Sequence, residues 1–98
     1  MLPSSKQQVS VIRLFCNNLK GILTKFTFGP TQQKIMHELE VLLEHLYQYE
    51  EQGRGIKSFV KGHDRSGVLN KLYKMLGKQK ENMKTIREFL DQLVMYRE

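Results

Sequence analysis

The sequence predicts an all-α fold, an antiparallel three-helix bundle, from three observations. Apolar residues recur in three long segments at alternating steps of three and four, which gathers them on one face of a helix. Those segments are separated by turns rich in glycine and polar residues. Only two prolines, Pro3 and Pro30, occur in 98 residues, so little interrupts helices.

The first helix is expected from about Ser5 to Lys25. Ser5 and Gln8 have capping-box spacing, in which each side chain satisfies an orphan amide of the first turn. Ile12, Phe15, Leu19, Ile22 and Phe26 form the stripe, and Val9, Cys16 and Leu23 widen it. Lys6, Arg13 and Lys20 share a solvated side, and Gly21 weakens the helix by ~1 kcal/mol relative to alanine. Phe28-Gly29-Pro30 ends it: Pro30 disfavours helical geometry at Gly29, Gly29 tolerates the left-handed conformation common after a helix, and Thr31 is a good next N-cap.

The second helix is expected from about Gln32 to Gln52, with Ile35, Leu39, Leu42, Leu46 and Tyr49 facing the core and Gly53 as the stop. Gly53 to Gly67 forms a connector in which Ile56, Phe59 and Val60 make one apolar turn, followed by turn chemistry from Gly62 to Gly67. The third helical region begins near Ser66. Leu69, Leu72, Leu76, Met83, Ile86, Leu90 and Leu93 hold one phase if Gln79 takes a core position. That continuity favours one helix of ~30 residues, ~45 Å long at ~1.5 Å per residue. A break near Gly77, giving four helices, is the alternative. The whole chain, 1–98, is expected to be a single domain.

Apolar residues make up 40% and charged residues 27% of the chain, which supports a packed core over disorder. The single cysteine, Cys16, has no internal disulfide partner and falls in the first stripe, so a buried inert thiol in a reducing compartment is expected. No apolar run has the ~20 residues that span a bilayer, and the N-terminus has no apolar signal region. An intracellular protein, cytoplasmic or nuclear, is expected, without stable membrane association. The basic, acid-free start also has the composition of a mitochondrial targeting segment, but its bulky stripe matches a core helix.

No catalytic centre assembles. His37-Glu38 begins a zinc-protease pattern, but position 41 is Val41 and His45 is two turns away. Gly53-Arg54-Gly55-Ile56-Lys57-Ser58 departs from a phosphate loop, because Ile56 separates Gly55 from Lys57 and a helix precedes it. His63-Asp64-Arg65 lacks a nucleophile and is expected in a solvated loop. No enzyme activity, metal or cofactor is expected.

The net charge of +6 is unevenly placed. Residues 1–30 and 54–87 are basic and residues 31–53 acidic, so the second helix can lie between two basic neighbours. Arg54, Lys57, Lys61, Arg65, Lys71, Lys74, Lys78 and Lys84 form a candidate surface for phosphates or nucleic acid, with Tyr73 and Phe59 as stacking options. Motifs that read base sequence are absent. Phe89, Leu93, Val94 and Tyr96 place more apolar surface near the C-terminus than one seam needs, and form a candidate protein-contact surface. The favoured function is a protein-interaction or regulatory module that docks another protein or a second copy of itself through a helix face. The alternative is a nucleic-acid-binding protein without sequence specificity.

Overall fold

The structure, a computed structural model, describes residues 10–79 and 83–97. Among these residues five α-helices follow in order: α1 Val11–Lys25, α2 Gln33–Glu51, α3 Ile56–Arg65, α4 Val68–Gly77 and α5 Lys84–Val94. Short 3-10 turns occupy Pro30–Gln32 and Met95–Arg97. No strand occurs among the described residues. No helix among them is long and apolar enough to cross a membrane.

The two long helices match the stripes. Ile12, Phe15, Leu19 and Ile22 of α1 are buried, as are Ile35, Leu39, Leu42 and Leu46 of α2. Their ends differ from expectation. The Ser5–Gln8 capping pair and Val9 lie outside the described residues. In the structure Ser10 is the N-cap of α1, and its Oγ accepts from the Arg13 amide at 3.1 Å. Gly29 is extended (φ −80°) and does not use the left-handed conformation it tolerates. Thr31 does not cap α2. The entry is a 3-10 turn started by Pro30, in which the buried Gln32 accepts the Gly29 amide through Oε1 at 2.9 Å.

The connector after α2 is more ordered than its composition suggests. Gly53 sits at φ 71° and closes the helix: its amide donates to Glu50 O and that of Arg54 to Tyr49 O, the paired bonds of a Schellman stop. The chain then forms α3 in place of the expected single turn. Ile56, Phe59, Val60 and His63 are spaced one, four, five and eight along it, so all four face inward. Gly67, at φ 83°, turns the chain into α4.

The third region does not form one long helix. It breaks after Gly77, and α5 begins at Lys84. Leu69, Leu72, Leu76, Met83, Ile86, Leu90 and Leu93 are nevertheless all buried. A continuous helix of ~45 Å would outrun α2, which at 19 residues is ~28 Å long. Folding α5 back lets the second half of the stripe reach the same core. Arg87 Nη2 donates to the Leu76 carbonyl at 3.1 Å, and Tyr73 donates its hydroxyl to Asp91 at 2.7 Å, across the reversal.

Polar pairs record how the segments align. Ser10 and Arg13, at the start of α1, meet Glu50 at the end of α2. His45 meets His63, and farther back along α2, Glu38 meets Lys71 at 2.9 Å. Thus α3 and α4 together run against α2. Arg97 closes the chain on Asp64 with two bonds of 2.7 and 3.0 Å. The acidic α2 does lie between basic neighbours, through the Arg13–Glu50 and Lys71–Glu38 pairs.

Candidate functional site

The expected C-terminal contact surface is largely core. Phe89 is 2% and Leu93 0% exposed, and Val94 and Tyr96 pack half-buried against the same cluster. The reason is the reversal after Gly77, which lays α5 on α1. Phe15 meets Phe89 edge-on at 5.7 Å and Tyr96 edge-on at 5.9 Å.

That packing leaves a different apolar surface beside it. Met95 is 76%, Leu14 54% and Val11 39% exposed. These side chains share an open cleft of about 630 Å³, walled by Val11, Leu14 and Phe15 of α1 on one side and by Gln92, Met95 and Tyr96 on the other. Sequence reasoning passed over Val11 and Leu14. The available signal was their phase: they are three apart and lie off the stripe that runs through Ile12, Phe15 and Leu19.

The eight candidate cations divide into two groups. Arg54 lies 4.0 Å over the Tyr49 ring and donates to Ser58 Oγ at 3.2 Å, so it braces the α2–α3 turn. Lys71 is held by Glu38. Lys57, Lys61 and Arg65 are exposed at four-residue spacing on the outer face of α3. Lys74 and Lys78 are exposed at the end of α4, and Lys84 opens α5. The stacking options are withdrawn by the packing. Phe59 is 0% exposed, and half-buried Tyr73 is tied to Asp91, with burial and that bond pushing its hydroxyl well above the usual phenol range.

His63 is not in a solvated loop. It is buried on the inner face of α3, with its ring stacked on Phe59 at 3.9 Å. Nδ1 donates to the Phe59 carbonyl at 2.8 Å, and Nε2 lies 3.0 Å from His45 Nδ1. Burial, the largest influence, lowers its pKa; the Phe59 carbonyl bond opposes that, and His45 adds to it. Asp64 turns to Arg97 instead, so the adjacent His63 and Asp64 form no acid–base pair. His37 is exposed, away from this pair. Among the described residues no group of three or more His, Cys, Asp or Glu is arranged to hold a metal ion.

Cys16 is 1% exposed, and burial, ahead of the nearby Glu50 charge, pushes its thiol up and away from the reactive thiolate. The Gly53–Ser58 segment is the Schellman stop and the start of α3 rather than a phosphate cradle. No protein-family model matches the chain, and neither a curated protein nor a solved structure shows significant similarity to it.

Proposed function

We propose that this chain is a non-enzymatic protein-interaction module that docks a partner on the cleft between α1 and the end of α5. The observation that carries this is the contiguous exposure of Val11, Leu14 and Met95 around one concave, mostly apolar surface. Exposed apolar side chains that share a cleft mark a contact site, whereas scattered ones do not. The occupant is the apolar face of another protein or of a second copy of this chain. With this proposal goes an antiparallel helical framework for the single domain. It keeps the three expected stripes, with α3 prolonging α4 against α2 and α5 added on α1 to form the second wall of the cleft.

Replacing Leu14 and Met95 together by Asp tests it. Both are exposed, and surface changes usually alter stability by no more than ~0.5 kcal/mol, so the fold is retained. Capture of protein partners from a nuclease-treated native lysate, and any concentration-dependent self-association in sedimentation, are expected to be lost. Equal capture and association by the double variant would overturn the proposal.

A second function rests on a separate observation, the exposed Lys57, Lys61 and Arg65 row. If that face binds nucleic acid, affinity falls by ~0.9 log units per log unit of salt for each duplex phosphate neutralised. Mobility shifts at about 50 and 200 mM salt check this, because a contact with several phosphates weakens by orders of magnitude over that range. No shift at the lower salt excludes it.

A further inference from the structure

His45 and His63 join α2 to α3 through a one-directional hydrogen-bond chain. The Phe59 carbonyl can only accept, so His63 Nδ1, 2.8 Å away, carries a hydrogen. Neutral His63 then offers Nε2 as an acceptor, and His45 Nδ1, 3.0 Å away, carries the hydrogen that fills it. Both nitrogens of the buried ring are used. His45 Nε2 is the ring nitrogen of the pair with no partner among the described residues.

Two added protons have unequal consequences. One is accommodated at His45 Nε2, the unpartnered nitrogen, with both hydrogen bonds left in place. The second has only His63 Nε2 to occupy. Two N–H groups on cationic rings then face each other across a 3.0 Å gap. Among the described residues no bonded carboxylate offsets this. From α2, the Tyr49 ring packs against His63, and Arg54 above it is a further cation. Glu44, beside His45 in sequence, is exposed. From α3, the Asp64 carboxylate is held by Arg97 of the C-terminal turn, and before α4, Ser66 donates to the His63 carbonyl. Among the described residues no carboxylate bonds either imidazole.

We infer that the His45–His63 pair is an acid-operated latch, closed while at most one proton is added and open when both rings are charged, releasing α3 from α2. The element that yields is α3. It has ten residues and no side-chain cap at its start, and isolated helices below ~12–15 residues are marginal in water. Its hold on the core is Ile56, Phe59, Val60 and His63. Its outer face carries Lys57, Lys61 and Arg65, so opening relocates a row of exposed cations. The sign follows from the preference of the fold for neutral His63. The latch is fully closed above the ordinary imidazole value of about 6.5, and its contribution declines as pH falls through that value toward the lower one of the folded state.

Amide hydrogen exchange between pH 7.5 and 5, corrected for intrinsic rates, reads the latch directly, together with nitrogen shifts of the two rings. At pH 7.5 both histidines are expected as Nδ1–H tautomers. On acidification the amides of α3 are expected to lose protection by about tenfold for each unit by which folding lowers the His63 pKa, while α1 and α2 keep theirs. His63→Phe retains a ring on Phe59 and removes the titration, and is expected to make α3 protection independent of pH. His45→Gln keeps a donor to His63 and removes the second charge, and is expected to move the loss to lower pH. An Nε2–H tautomer for His63 at pH 7.5 overturns the inference. So does titration of His63 with α3 protection unchanged, or an equal loss in all helices. These readouts on the natural chain decide the matter even if His63→Phe does not fold.

Discussion

The second and third helices use the same core in opposite ways. α2 has 19 residues and presents an aliphatic stripe, Ile35, Leu39, Leu42 and Leu46, to the interior. α3 has ten and presents Ile56, Phe59, Val60 and a histidine. α2 follows from its own periodicity, repeated over five turns. α3 shows only four inward positions, one of them polar, within a segment holding Gly55, Gly62 and Gly67. A short helix is therefore decided by what it packs against. In α3 the buried polar ring is satisfied by its own helix on one side and by α2 on the other.

The largest expected effects test whether α3 is as deeply anchored as α2. Phe59 is fully buried, stacked on His63 and edge-on to Tyr49 at 5.1 Å. Phe59→Ala is expected to destabilise by ~3–5 kcal/mol, and Leu42→Ala by ~2–5 kcal/mol, in chemical denaturation. A Phe59 variant within ~0.5 kcal/mol of the natural chain, the range of surface changes, would place α3 outside the cooperative core.

A smaller effect concerns the turns that bound α3. Gly67 holds φ 83°, where a side chain is disfavoured, although a Cβ there meets nothing within 4 Å. Gly67→Ala is expected to cost about 1–2 kcal/mol, from backbone strain alone. Gly21 is the contrasting case. It lies inside α1 at ordinary helical geometry, and a Cβ there also meets nothing within 4 Å. Gly21→Ala is expected to stabilise by about 1 kcal/mol. Thermal unfolding of the two variants gives shifts of opposite sign if the φ angle, and not space, governs both positions.

The smallest effect is the ion pair between α2 and α4. Lys71 and Glu38 are 2.9 Å apart with the lysine well exposed, and exposed pairs contribute ~0–1 kcal/mol. Lys71→Glu alone is expected to destabilise slightly by facing Glu38. The exchange of both charges is expected to restore the loss, measured as a double-mutant cycle. Because Lys71 is engaged, the cations to reverse when probing nucleic acid are Lys57, Lys61 and Arg65 together. Their removal is expected to abolish a salt-dependent mobility shift, if one occurs, without unfolding the chain.

The sequence by itself determined the helical class and the buried stripes, because a period of three and four residues leaves one apolar face regardless of where the helix goes. Ile12, Phe15, Leu19, Leu39, Leu42, Leu46, Leu72 and Leu76 are all legible in that way and all buried. The stripe from Leu69 to Leu93 shows the limit. Its phase is unbroken, yet the helix stops at Gly77 and doubles back. Periodicity records which side of a helix is apolar, and two helices can share that phase after a turn. Direction is set by how much core lies within reach. For the same reason the candidate site moved. Phe89 and Leu93 became interior once α5 lay on α1, while Leu14 and Met95 remained outside because their phases point away from the shared core. The His45–His63 contact also required the tertiary structure. Residues 18 positions apart on different helices meet only when α3 runs against α2, and no spacing rule within one helix encodes that encounter.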